Sequence, residues 1–325
     1  MKIVICDYKN VLDRKLEYEK QILLNRIKNA QVITYEYSGN KEEFIEVIKD
    51  ADAILTAFLD INEEIINIAE KLKCISINAT GYNRVDLDAA SKKNIGVCAI
   101  GEYCTQEVAD HTLSLILALN RGIKHYINDI DEKNIWKYHS ISGLLRIEGQ
   151  VLGIFGFGKI GKAVAKRALA FGMKVVAVDP YANKDEAEKL GVEIVDPDYI
   201  WQNADVISNH MNQNRENNNF FTINKFEKMK KNPIFINVGR GSSVNEDDLL
   251  KALENNLIRG AGLDVLSEEN PNLKENKLVG KENVIITPHA AFYSETSIRE
   301  LQRISCENIV HYLNDEKEKV NIIVN

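Results

Sequence analysis

From Lys2 onward, short apolar runs alternate with longer stretches whose apolar residues recur every three or four positions, and the whole alternation restarts once, at Gln150. A chain patterned in this way buries its strands in parallel sheets with helices on both faces. The first series predicts strands at 2–6, 31–35, 53–56, 74–78 and 96–98. Between them, helices such as 41–49 and 63–71 carry Phe44, Ile45, Ile48 and Ile65, Ile66, Ala69 as core-facing stripes. A long helix is predicted over 106–120. The second series predicts strands at 151–155, 174–178, 193–195, 206–208, 234–238, 260–264 and 284–287, with helices at 160–171 and 246–254. A last helix, 295–313, lies beyond the second series and fits a place in either domain.

At 325 residues the chain exceeds one ordinary hydrophobic core, so two domains are expected. Its 45% hydrophobic and 27% charged residues are those of a packed globular protein. A formal net charge of -7 argues against a nucleic-acid surface. No run reaches the roughly 20 apolar residues that cross a bilayer, and the N-terminus reads as a buried strand rather than a signal peptide. Cys6, Cys74, Cys98, Cys104 and Cys306 are odd in number and scattered, which suggests neither a disulfide framework nor a structural metal site. A reducing, cytoplasmic setting is expected, with no metal. The Asn-rich stretch 212–219 reads as a solvated loop.

Gly156-Phe-Gly158-Lys-Ile-Gly161 follows the strand 151–155 and opens the helix after it, the context in which a GxGxxG pattern signals dinucleotide binding. Gly156 permits a tight turn, Gly158 lets the backbone approach a pyrophosphate, and Gly161 allows close packing, while the amides of Lys159 and Ile160 receive the anion. The next strand ends at Asp179, eighteen residues after Gly161. A carboxylate there can bind the adenosine ribose hydroxyls and repel a 2'-phosphate, favouring NAD over NADP. Asp179 also fits a plain turn residue before Pro180.

Four polar residues stand at or after strand ends of the second series. Arg240, in Asn237-Val238-Gly239-Arg240-Gly241, lies where open α/β sheets bind ligands, and a guanidinium there can hold a carboxylate bidentately and polarise a carbonyl. Asp264 closes one strand and Glu269 follows in a loop; either carboxylate also fits a solvated position. His289, in Thr287-Pro288-His289, has the best position of the six histidines for proton transfer at a ligand edge. Glu269 paired with His289 would keep a proton donor available for a carbonyl reduced by hydride. Arg240 would fix the substrate and stabilise developing negative charge.

Taken together, the glycine turn with Asp179, Asn237 to Gly241, Leu263-Asp-Val with Glu269, and Thr287-Pro-His-Ala resemble the D-isomer-specific 2-hydroxyacid dehydrogenase family over nearly the whole chain. Ala79-Thr80-Gly81-Tyr-Asn83 resembles its substrate loop, and Val108-Ala-Asp110 its inner-domain helix. The stretch from His289 through Phe292 to Glu295 looks closer to the branches near D-lactate dehydrogenases and C-terminal-binding-protein-like dehydrogenases than to phosphoglycerate dehydrogenase. Where many members carry His-x-Pro-Leu-Thr, this chain has His210-Met211-Asn212-Gln-Asn.

The resemblance implies two doubly wound parallel-sheet α/β domains, a Rossmann NAD-binding domain (101–289) inserted in a flavodoxin-like substrate domain (1–100 and 290–325). It also implies a homodimer through the inner domains. It assigns Arg240, Glu269 and His289 to catalysis, and Asp264, Val238, Gly239, Met211, Asn212, Thr105 and Val108 to the NAD site. Ala79, Thr80 and Gly81 fall to the substrate, a small 2-keto or 2-hydroxy acid. Tyr103 and Phe292 either wall the substrate side chain, favouring an unphosphorylated acid, or sit in the core; Arg84 nearby argues the other way. A dinucleotide-sensing binding protein like the C-terminal-binding corepressors, and a formate dehydrogenase relative, are the competing readings.

Overall fold

The computed structural model describes residues 1–325 except Asp13, Gln213, Arg215 and the side chain of Asn10; Gln213 and Arg215, inside the predicted solvated loop, therefore lie outside the described residues. It divides into two compact units, Met1–Tyr103 with Ser294–Asn325, and Cys104–Tyr293.

The first unit opens with β1 (Lys2–Asp7), α1 (Lys9–Leu12), α2 (Glu17–Arg26), β2 (Gln31–Glu36), α3 (Lys41–Ile48), β3 (Ala53–Thr56), α4 (Glu63–Ile68), β4 (Cys74–Ile77), α5 (Leu87–Lys92) and β5 (Gly96–Ala99). These strands run parallel in the order β5-β4-β3-β1-β2, the flavodoxin-like form of a doubly wound sheet. Strand alternation makes the layers. Val4, Ile54, Ile75 and Val97 pack on Phe44, Ile48, Ile65 and Ile66, while Ile3, Ile5, Leu55 and Cys98 face the opposite side. The side chains of Asn40, Asn62 and Asp86 cap α3, α4 and α5 by accepting from the amides of Glu43, Ile65 and Ala89. At the carboxyl edge, the buried Asp7 accepts from the amides of Ala57 (2.6 Å) and Phe58 (3.1 Å), which ties β1 to the turn after β3.

The second unit contains α6 (Thr105–Asn120), α7 (Ile123–Asp131), β6 (Val151–Phe155), α8 (Lys159–Ala170), β7 (Lys174–Val178), α9 (Lys184–Lys189), β8 (Val192–Ile194), α10 (Pro197–Asn203), β9 (Val206–Asn209), α11 (Ile223–Phe226), β10 (Ile234–Asn237), α12 (Glu246–Glu254), β11 (Gly260–Leu263) and β12 (Val284–Ile286). All seven strands are parallel, in the order β12-β11-β10-β9-β6-β7-β8. Strand order reverses beside β6, and ligands of such sheets bind at that switch point, beyond the carboxyl ends. On one face Ile154, Val175 and Ile236 pack on Val108, Leu115 and Val164 from α6 and α8. On the other, Phe155, Ile207 and Phe235 pack with Trp201, Phe226 and Leu249, and Phe155 stacks on Trp201 with ring centroids 4.7 Å apart.

The chain then returns to the first unit. Ser294 opens α13 (Glu295–Leu313) with a capping box shared with Ser297, and α13 buries Cys306, Ile309 and Val310 with Ile3 and Leu23. One strand departs from the expected parallel sheet: β13 (Ile322–Ile323) runs antiparallel to β5. Asparagine side chains set its register, Asn325 accepting from the Val97 amide (2.7 Å) and Asn321 from the Gly101 amide (2.8 Å). Several strands end one residue short of the pattern. Val238 and Asp264 thus stand just past β10 and β11 rather than within them.

Candidate functional site

The glycine turn after β6 is shaped by what a side chain would strike. Gly156 has φ +89°, and a Cβ there would come within 2.7 Å of the His210 carbonyl. At Gly161 a Cβ would lie 2.3 Å from the Gly156 carbonyl oxygen, whereas Gly158 faces open space. Gly158 caps α8 without a side chain, and the first turn of that helix carries the amides of Lys159 and Ile160. Asp179 anchors the turn from the end of β7: one carboxylate oxygen accepts from the Phe157 amide at 2.7 Å and the other from the Tyr181 amide at 2.8 Å. Amides at a helix start, a missing Cβ and a carboxylate beside them fit a pyrophosphate and ribose.

The Arg240 loop is built on a buried polar network. Asn209, at the end of β9, donates to the Asn237 side-chain oxygen (3.0 Å) and to Ser243 Oγ (2.8 Å), while Asn237 Nδ2 and Ser243 Oγ both donate to the Arg240 carbonyl. Gly239 sits against Asn209 and the Met211 carbonyl, either of which would crowd a Cβ at 3.2 Å. The exposed Arg240 side chain spends one Nη1 hydrogen on the Gly239 carbonyl at 2.8 Å, and the rest of its fork has no partner among the described residues. Gly241 decides where this loop lies, because a Cβ on it would overlap the Leu266 carbonyl at 1.7 Å. The Arg240 loop is thereby pressed against the segment that leads to Glu269.

His289 is held by Asp264. That carboxylate is 1% exposed and accepts from Thr287 Oγ1 (2.6 Å) and the amides of Ala290 and Ala291 (2.9 Å each). Its carbonyl accepts from the His289 amide at 2.7 Å. Wrapped around this group, the loop drives His289 to φ +50°, a left-handed conformation that non-glycine residues adopt only when their surroundings impose it. The imidazole Nδ1 lies 2.8 Å from Glu269 Oε2, and Nε2 has no partner among the described residues. Phe292 stands edge-on to the ring at 6.1 Å between centroids. His289, Glu269, Asp264 and Thr287 line one end of a cavity of about 670 Å3 whose remaining wall includes Leu273, Leu278 and Ile286; Arg240 is not among its lining residues.

The other predicted positions are spread more widely. Val108 is buried in the core against Ile154 and Ala163, and Thr105 is half-buried at the start of α6. Met211 is half-buried beside Gly239, and Asn212 is exposed. In the first unit, Ala79, Thr80 and Gly81 follow β4, with the last two exposed and their amides donating to nothing among the described residues. Tyr103 packs on Ile100, Leu301 and Ile304 of the same unit.

Two histidines near these loops were passed over in the sequence. His210 directs Nε2 to Ser208 Oγ (2.9 Å), and burial pushes its pKa down to about 3, so it is neutral and unsuited to donate a proton. His111, on α6, points Nε2 at Thr287 Oγ1 (2.9 Å). Its only sequence signal was a polar residue between the buried Ala109 and Leu113 of an apolar helix.

Comparison with known proteins adds an independent line. The model of the D-isomer specific 2-hydroxyacid dehydrogenase NAD-binding domain matches residues 113–291. D-3-phosphoglycerate dehydrogenase of Methanocaldococcus jannaschii is 36% identical over 296 residues, 90% of this chain and 55% of that protein. The chain thus spans little more than half the length of that relative. Glyoxylate reductase of Korarchaeum cryptofilum is 32% identical over 281 residues, 85% of this chain and 84% of that protein. Among solved structures, D-lactate dehydrogenase of Lactobacillus jensenii with NAD+ covers both chains fully at 28% identity and a TM-score of 0.83.

Two outcomes follow from this geometry. Gly241→Ala forces the Leu266 carbonyl aside and is expected to cost about 3 kcal/mol in a denaturant titration. The second concerns acid. The unfolded chain protonates His210 near its ordinary pKa of 6.5 and the folded chain only at about 3. Lowering the pH through that window therefore favours unfolding, by at most about 1.4 kcal/mol per unit from this one group. His210→Gln should flatten the difference in unfolding midpoint between pH 6.5 and 5; an unchanged slope would show that the ring is not buried in its neutral form.

Proposed function

The chain belongs to the D-isomer specific 2-hydroxyacid dehydrogenases and is an NAD-dependent enzyme, and from that premise we propose that it interconverts a small 2-keto acid and its D-2-hydroxy acid, with His289 and Glu269 as the proton-donor pair and Arg240 as the substrate anchor. The observation that carries this reading is the 2.8 Å contact between His289 Nδ1 and Glu269 Oε2, made at the carboxyl edge of the sheet that bears the glycine turn. In the same reading Cys104–Tyr293 is the NAD-binding domain and the other unit the substrate domain.

The nicotinamide, when bound, supplies or accepts the hydride at the substrate's second carbon. His289 Nε2 gives its proton to the carbonyl oxygen in reduction and takes it back in oxidation, while Glu269 orients the ring through Nδ1 and stabilises the imidazolium. Arg240 turns the free part of its guanidinium to the substrate carboxylate and balances charge developing on the oxygen. Asp179 accepts from the ribose hydroxyls and disfavours a 2'-phosphate. Arg84 is already paired with Asp60 at 3.0 Å, which supports an unphosphorylated substrate.

Two further properties accompany this reading. On α7, Ile123, Ile127 and Ile130 recur at helical spacing and are exposed, and Trp136 and Tyr138 beyond them are each 87% exposed. Exposed apolar side chains in this number and spacing support a homodimer through the second unit. The five cysteines are all thiols, which supports a cytoplasmic setting.

Incubated with NADH and a panel of pyruvate, hydroxypyruvate, glyoxylate and longer 2-keto acids, the protein should oxidise NADH with at least one; inactivity across the panel with NADH bound would reject the reading. His289→Ala should lower kcat by roughly 100-fold to 10,000-fold while NADH affinity stays within about twofold. In sedimentation, the parent chain is expected as a dimer and an Ile127→Ser, Trp136→Ser chain as a monomer.

A further inference from the structure

The clamp around Asp264 has one member that the proposed reaction does not use. His111 projects from α6 between Ala109 and Leu113, both buried in the core of the second unit, so its ring stands on a rigid base. Its side chain is 23% exposed. Nε2 lies 2.9 Å from Thr287 Oγ1 and 3.5 Å from Asp264 Oδ1. The Thr287 hydroxyl proton is already committed to Asp264 at 2.6 Å. Oγ1 can therefore only accept from a third group, so Nε2 is the donor. The row His111, Thr287, Asp264 is thus directional, and it ends on the carboxylate that receives the Ala290 and Ala291 amides just after the bend at His289.

We propose that His111 is a positioning residue for the reaction: by donating to Thr287 it locks the hydroxyl onto Asp264, and Asp264 then holds His289 in its left-handed conformation with Nε2 presented. This inference rests on His289 being the proton donor. A threonine hydroxyl without that third partner can rotate among its staggered positions, and each alternative removes a hydrogen bond from a carboxylate that has almost no access to water. The loop then loses the contact that compensates for φ +50° at His289, and the ring leaves its reacting geometry. Small displacements of a proton donor are costly, about 100-fold in rate for 1 Å. Most of the NADH affinity is spared, because the glycine turn and Asp179 share no hydrogen bond with this row and Asp264 keeps both backbone amides.

The test uses the full chain with NADH and whichever 2-keto acid it reduces. His111→Leu keeps the bulk and removes the donor, His111→Gln keeps an N–H near the position of Nε2, and Thr287→Val removes the hydroxyl. His111→Leu is expected to lower kcat by about 10-fold to 100-fold with the NADH KM within about twofold, and His111→Gln to recover to within about threefold of the parent. The double variant His111→Leu, Thr287→Val should be no slower than Thr287→Val alone, since both remove the same link. Wild-type kcat in His111→Leu, equal losses in the Leu and Gln variants, or losses that multiply in the double variant would each overturn the proposal. If His111→Leu does not fold, by circular dichroism, the same comparison is made with His111→Gln and Thr287→Val, where Gln must stay near the parent rate and Val must fall. His289→Ala separates the two levels: full turnover there overturns the proton-donor reading, whereas loss there with full turnover in His111→Leu overturns only the role of His111.

Discussion

A carboxylate cut off from water must be satisfied by the protein, and the second unit folds its functional loop around one. Asp264 has almost no exposure, and it accepts from a threonine hydroxyl and two backbone amides, all from the loop that follows β12. Leaving such a group short of donors costs more than most surface interactions return. The loop therefore has little freedom, and its least comfortable residue, His289 at φ +50°, is the one that reaches Glu269. Strain at one residue is maintained by hydrogen bonds at its neighbours.

The remaining functional loops obey the same logic with different chemistry. Glycines shape the turn after β6 because the His210 carbonyl and the Gly156 carbonyl lie where side chains of residues 156 and 161 would be, while Gly158 faces open space. Gly241 lets the Arg240 loop lie on the Leu266 carbonyl, and the buried Asn209, Asn237 and Ser243 give that loop its shape. Each of these loops leaves the carboxyl end of a strand in one parallel sheet, the edge at which such sheets bind ligands. The membership of a dehydrogenase family and the use of NAD accord with this arrangement.

Much of the architecture was legible before any coordinates. Strands β3, β6 and β7 and helices α12 and α13 match their expected bounds, because buried parallel strands and amphipathic helices impose periods that no loop imitates. Helix α7 was not anticipated, although Ile123, Ile127 and Ile130 recur at helical spacing; the stripe they form is exposed rather than packed in a core. Nor was β13, whose two residues owe their place to the asparagines on either side. In the site, the pairing of His289 with Glu269 could be anticipated from residue types at strand ends. Asp264 could be noticed, but its saturation by the loop and its link to His111 could not, because the partners are 23 to 153 positions away in the chain.

The sequence by itself determined two doubly wound sheets, the place of the glycine turn and the chemical types available at the strand ends. Those properties depend on neighbours along the chain: the period of apolar residues, the glycines that allow a turn, the carboxylate that closes a strand. Only the tertiary structure decided which histidine is neutral and enclosed, which is bent into a left-handed loop with a free nitrogen, and which braces that loop from a distant helix. Burial and hydrogen-bond partners settle those identities, and both are made by residues that meet only when the sheet brings separate strands together.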